Sequence, residues 1–462
     1  MRSTPLRGRR FFRPVMILAT AWLLGLGLLG PLSPGTGAAA APPLLWSQQF
    51  HLPQRNLEVT DVLVAGDRVF VGGWGTDADA AWAEWFEWVV GAFDLNSGGL
   101  LWKEQLLLGY EQVPVSLAAD GGRLFVNGCL KLTEFGGNRG DWLMRAYDSE
   151  VGTLLWSKTM DFKGNEDILV GAAAAGSRLF VAGKTVSGPY DGLIQAYDAA
   201  SGKRLWKKKF DYKKNIDQYV SLGLAGDLVV VGGDAEYNSK YLVVHAYAAK
   251  NGKLVWKQMT PGYMSVDTLN IHTQKFLAVA GGRVFAASGG ISMEVHAQVL
   301  AYDAQSGHEL WRQPYRAPQG EYFWPKALAA AGNFVAVAGY VANGPHGEDW
   351  MVLGLDAGTG ALLWTARVDL GGDDRPEAVA VAGNQVVVAG YGMGPLLDTY
   401  FLVKAYDAAT GSLLWTDQFT ADAIFSTNAA RTIAVAGNRV IVAGRGLAFP
   451  YFDWFIRAYS IQ

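Results

Sequence analysis

The chain has 462 residues, half of them hydrophobic, with 57 Gly, 17 Trp and one Cys. Glycine runs at nearly twice its ordinary share of about 7% with no Gly-X-Y period, and a lone Cys closes no internal bridge, so disorder, a collagen, a coiled coil and a disulfide-stapled scaffold are excluded. The 39 Lys+Arg against 42 Asp+Glu exclude a basic nucleic-acid-binding domain.

The first forty residues read as an address. Arg2, Arg7, Arg9, Arg10 and Arg13 precede an apolar run over 15–30, and small residues follow to Ala38-Ala39-Ala40, which fits an A-x-A cleavage site. That order is the n-, h- and c-region of a secretory signal peptide, so residues 1–41 are expected to be removed after Ala40 or Ala41. The run is short and glycine-interrupted for a span of about 20 residues, and no stable membrane span is expected after cleavage. Arg9-Arg10-Phe11-Phe12 resembles a twin-arginine export signal. Losing five Arg and no acid takes the net charge from −3 to −8. The periplasm or the extracellular space is the expected location, with residues 42–462 as one mature domain.

Tryptophan then recurs at Trp46, Trp102, Trp156, Trp206, Trp256, Trp311, Trp364 and Trp415. Seven of these close one phrase, with AFDLNSGGLLW at Trp102, AYDAQSGHELW at Trp311 and AYDAATGSLLW at Trp415 among them. Gly stands four residues ahead of each phrase Trp, and Asp eight ahead in all but one, where Ala248 replaces it. Before each phrase come two short apolar runs split by a glycine turn, as in IAVAGNRVIVAG over 433–444. That is a hairpin signature. A third run such as FLVKAYD (401–407) and a fourth ending in Trp complete a four-stranded antiparallel meander, strands A to D.

Units of this kind at about 50 residues predict a β-propeller. Strand A is built of Ala, Val and Gly while strand D carries the Trp, as blades that narrow toward an axis require. The last unit stops after its third strand, RAYSIQ (457–462), and Leu44-Leu45-Trp46 supplies the missing fourth. The predicted fold is all-β: an eight-bladed β-propeller of four-stranded antiparallel blades, closed by the N-terminal strand completing the last blade. Closure removes the open sheet edges.

The phrase A-x-D-x-x-x-G-x-x-x-W resembles the tryptophan-docking motif of the quinoprotein alcohol dehydrogenase superfamily, over nearly all of the mature chain. The resemblance implies a PQQ-like propeller in which each Trp packs between blades against the next motif, a docking role carried here to Trp46 and the seven phrase Trp. Repeats such as DDRPEAVAVAGNQVVVAGY (373–391) also look like those of secreted bacterial propellers without catalysis. One relative is the lipid-anchored propeller that assists outer-membrane protein assembly, but no Cys near the cleavage site is there to carry such an anchor. Enzymes of the superfamily hold a quinone with Ca²⁺ under a disulfide of adjacent cysteines. Cys129 stands alone here, so no catalytic residue, metal or cofactor is expected; PQQ with Ca²⁺ in a periplasmic oxidoreductase is the alternative.

In a meander propeller the A–B and C–D turns share one face, and the B–C and D–A connections the other. Variable length is confined to the second set, as over 74–88 and 261–272, and long loops on a rigid scaffold commonly carry binding. That face holds an aromatic rim, Trp74, Trp82, Trp85, Trp324, Tyr340 and Tyr391. Such a rim suits stacking on a sugar, a quinone or a partner's loops, or packing of the loops themselves. Counting nine residues back from each A–B turn glycine gives Leu57, Val113, Asp167, Asp217, His272, Phe323, Asp374 and Asn428. Asp167, Asp217, His272, Asp374 and Asn428 either form a ligand arc at the channel mouth or hydrogen-bond their own turns. The expected function is a monomeric, non-enzymatic binding or scaffolding module. Its B–C and D–A face would take an envelope or extracellular protein, or a glycan, and no nucleic acid.

Overall fold

Two-residue glycine turns between alternating apolar runs close hairpins, and the computed structural model contains one in each of eight four-stranded antiparallel sheets. It describes residues 40–77, 86–107, 111–131, 140–161, 167–186, 190–213, 215–236, 239–262, 275–289, 297–318, 320–344, 347–394, 398–420 and 427–461. No helix occurs among them. Blades one to seven follow chain order as Arg55–Leu106, Glu111–Met160, Asp167–Phe210, Asp217–Pro261, Leu277–Tyr315, Tyr322–Val368 and Arg375–Phe419. Blade eight takes strands A to C from Ala429–Ala436, Arg439–Ala448 and Tyr451–Ser460, and strand D from Leu44–Phe50. Trp46 lies opposite Ala458 and Phe50 opposite Trp454. The expected eight-bladed ring is therefore present, with its closure made by the N-terminal strand. Ala39–Gln462 forms one compact unit.

Turn lengths separate the two faces. Every A–B turn holds two residues, from 66–67 to 437–438, and every C–D turn five, from 95–99 to 408–412. The B–C and D–A connections absorb all the variation, from two residues at 345–346 to fifteen at 262–276.

The repeated phrase is a joint between blades. Asp303 Oδ1 accepts the N–H of Gln305 at 3.2 Å and of Ser306 at 2.8 Å, and Gly307 completes the turn at φ 71°. Trp256 of the preceding blade lies flat against that glycine, where a Cβ would stand 2.5 Å from the indole Cδ2. Its Nε1 donates to the Ala304 carbonyl at 2.9 Å. The same contact joins Trp46 to Gly98, Trp102 to Gly152, Trp156 to Gly202, Trp206 to Gly252, Trp311 to Gly360 and Trp364 to Gly411. Trp415 differs, because blade eight borrows its last strand and has no C–D turn. It stacks on Tyr459 at 5.0 Å and donates to Gln385 Oε1 instead.

Strand A carries a β-bulge in seven blades, and the extra residues are Thr60, Val115, Val170, Val220, Lys326, Glu377 and Arg431. Each stands six residues before its turn glycine, an offset that falls on Lys275 in blade five. The bulge presses the strand A backbone onto strand B. Strand B answers with glycine: a Cβ at Gly183 would stand 2.1 Å from the Ile168 carbonyl, and one at Gly233 1.9 Å from that of Gln218. In blade two, Gln112 pairs Leu130 at the level where Asp167 pairs Thr185 in blade three. Gln112, not Val113, therefore occupies the ninth position back.

Candidate functional site

The arc residues sit at the seams between blades. Asp217 opens strand A of blade four, fully buried, and its Oδ2 accepts the Tyr212 N–H from its own D–A turn. Asp374, equally buried, accepts the N–H of Leu370 at 2.6 Å and of Met393 at 2.9 Å. Asn428 Nδ2 donates to the Thr399 carbonyl of the preceding blade at 3.0 Å. Asp167 is buried at the same level, while His272 lies outside the described residues. Leu57 and Phe323, at the equivalent positions, belong to the hydrophobic core.

Carboxylates gather at three of these seams. Asp141, Asp161 and Asp167 bring oxygens within 4.8 Å of one another, as do Asp349, Asp369 and Asp374. Asp191 and Asp211 flank Asp217. Strand D answers with a cation at two seams: Lys209 Nζ lies 2.6 Å from Asp191, and Arg367 Nε donates to Asp349 at 2.7 Å. At the first seam Thr159 holds the register of Lys209 and Arg367. The oxygen spacing of Asp141, Asp161 and Asp167 is that of a hard-cation site. Burial pushes the Asp217 carboxyl up to about 7, opposed by the Tyr212 N–H and reinforced by Asp211 and Asp191. Burial likewise pushes Asp374 up to about 6.

The rim residues occupy a different level, the second A–B pair outside the bulge. There Glu58 pairs Trp74, Trp324 pairs Tyr340, Arg375 pairs Tyr391, and Ala429 pairs Arg445. These pairs belong to blades six, seven, eight and one, which adjoin around the ring. Arg375 lies over the Tyr340 ring at 5.1 Å and pairs Glu348, and Arg445 lies over Phe452 at 4.8 Å. Trp74, Trp324, Tyr340 and Tyr391 are half-buried, and burial pushes the Tyr391 hydroxyl up to about 12. Trp82 and Trp85 lie outside the described residues.

A charged network spans the same sector. Arg431 donates to Glu58 of blade one at 2.8 Å and to Glu377 of blade seven at 3.1 Å, and Arg445 takes the other Glu58 oxygen at 2.5 Å. Within this network Glu377 and Arg431 stand six residues before their turn glycine, an offset distinct from that of the arc. The signal was available, since Lys275, Lys326, Glu377 and Arg431 share one offset in consecutive repeats.

A quinone held with a divalent cation needs an uncommitted carboxylate at the mouth and a flat cover. Glu58 and Glu377 are already committed to guanidinium groups, and Cys129 has no second cysteine to form a disulfide cover.

A family model described as outer membrane protein assembly factor BamB matches residues 87–236, 190–343, 240–400 and 348–449. Among solved structures, BamB from Moraxella catarrhalis is similar at 14% identity and TM-score 0.51, over 90% of this chain and 100% of that one. Quinohemoprotein alcohol dehydrogenase ADHIIG from Pseudomonas putida HK5 is similar at 13% identity and TM-score 0.53, over 91% and 77%. A europium-containing methanol dehydrogenase gives 13% identity and TM-score 0.53, over 90% and 93%. Identities this low establish a shared fold alone. No curated protein matches.

Proposed function

Because this chain belongs to the PQQ_2 family, described as outer membrane protein assembly factor BamB, we propose that it is an exported, non-enzymatic docking propeller that binds an envelope protein on its B–C and D–A face. The contact sector is the mouth of blades six, seven, eight and one, where Trp74, Trp324, Tyr340, Arg375, Tyr391 and Arg445 come together. The observation that carries this reading is composition at one place: half-buried Trp, Tyr and Arg side chains are the residues in which protein interfaces concentrate their binding energy. The engagement of Glu58 and Glu377 by Arg431 weighs against the quinone-dependent alternative.

The test is a purification from native envelope extracts with wild type and a Trp324→Ala/Tyr340→Ala/Arg375→Ala variant. A stoichiometric protein complex that the folded variant fails to form supports docking. Dye reduction after adding PQQ and Ca²⁺ would replace it with the oxidoreductase, and glycan-array binding abolished by Trp324→Ala would replace the protein partner with a carbohydrate.

A further inference from the structure

Between the ring of bulge residues and the A–B turns, the channel opens into a cavity of about 240 Å³, lined by blades one to five and eight. Its apolar wall includes Val62, Leu63, Val170, Val220, Leu222 and Leu277. Its charged groups are Asp61 and Lys275. Asp61 is already engaged, because Oδ1 accepts the Val62 N–H at 3.0 Å and Oδ2 the Leu117 N–H at 2.9 Å. Lys275 is different. It extends from blade five toward blade one on the far side of the ring and stops with Nζ 3.7 Å from Asp61 Oδ1, beyond hydrogen-bonding distance. Its side chain is 59% exposed within the channel. Among the described residues, its ammonium donors meet no acceptor at hydrogen-bonding distance, and neither does the Ser221 hydroxyl on the adjoining blade.

We propose that this cavity binds a small amphipathic monocarboxylate. The carboxylate meets the Lys275 ammonium and the Ser221 hydroxyl, and the hydrocarbon lies against Val170, Val220, Leu222 and Leu277. The class follows from the charged groups of the cavity. A cation would face the Lys275 ammonium while Asp61 is occupied by backbone N–H groups. A dianion would find one ammonium and the Asp61 charge beside it. A neutral apolar molecule would strip water from the ammonium without replacing it, whereas a carboxylate forms the charge-assisted bond that the ammonium lacks. Size sets the rest: an apolar cavity of about 150 Å³ takes benzene, so this one takes a ring or a six-carbon chain with its carboxylate.

Benzoate and hexanoate are the probes, titrated calorimetrically into the full-length protein, with benzamide and hexylamine as controls. Both acids are expected to bind and to raise the melting temperature with concentration, and the controls are not. Lys275→Met is expected to weaken binding at least about tenfold while keeping its unliganded melting temperature, since the 3.7 Å pair it removes is loose. Gly171→Leu fills the cavity with Lys275 intact; a Cβ at Gly171 meets nothing nearer than the Leu222 Cβ at 3.9 Å. It is expected to abolish binding too. The proposal is overturned if neither acid binds wild type at millimolar concentration, if the controls bind equally well, or if Lys275→Met binds as wild type does.

Discussion

Asp217 holds its proton far above the ordinary carboxyl range because it is buried at a blade seam beside two other carboxyls. Its folded value of about 7 exceeds the ordinary 3.8, so between the two the folded state binds more protons than the unfolded one. The stability tied to this group is complete below the ordinary value and is lost as pH rises through about 7. His245, pushed down to about 4 by burial, acts in the opposite direction between 6.5 and about 4. Comparison of a variant with wild type isolates Asp217. Asp217→Asn keeps an oxygen for the Tyr212 N–H and cannot ionise. Its stability relative to wild type is expected to grow between about pH 5 and pH 8, measured from urea midpoints. An offset that stays constant across that range would count against a buried, protonated carboxyl. The offset of nine found a genuine repeated position in Asp217, Asp374 and Asn428. Whether they face the channel or their own turns was left open by the sequence, because a bulge three residues further on resets which side chains face the channel.

At the scale of the element, two glycine turns with the same left-handed backbone do different work. Gly437, at φ 59°, has nothing within 4 Å of where a Cβ would stand, while Gly307, at φ 71°, would put one 2.5 Å from Trp256. Alanine at either position meets the left-handed penalty. Only Gly307→Ala must also displace an indole packed between blades, so it is expected to cost about 1–3 kcal/mol more than Gly437→Ala. Denaturant unfolding of the two variants measures the difference, and equal losses would mean that the joint tolerates an opened seam. This element was fully legible. The chemistry of the phrase is local: Asp caps, Gly turns, and Trp stands at a fixed distance to reach the next blade. Trp415 is the exception to the docking role expected of all eight Trp, because blade eight has no C–D turn for it to cover.

For the whole molecule, the ring depends on one borrowed strand. Leu44–Phe50 pairs Tyr451–Ser460, Gln49 Nε2 and His51 Nδ1 bond Asp453 at 2.7 and 2.8 Å, and Trp46 continues into blade one at Gly98. Removing residues 43–52 would expose the edge of Tyr451–Ser460, and exposed edges recruit other chains. The truncated protein is expected to melt at lower temperature and to self-associate, and a synthetic peptide spanning 43–52 to reverse both. Light scattering alongside thermal unfolding reads this out, and an unchanged melting temperature would show that closure contributes nothing to stability.

Blade number, blade order and the uniform turns on one face were determined by the amino-acid sequence alone, because each depends on spacings within about 50 residues that recur unit after unit; the closing strand followed from the fourth strand that the last unit lacks and Leu44-Leu45-Trp46 supplies. What meets on the axis was decided only in the folded ring. Arg431 with Glu58 and Glu377, and Lys275 reaching toward Asp61, join residues from separate blades. No local spacing encodes such neighbours; they meet because strand A bulges inward and eight sheets close on a common centre.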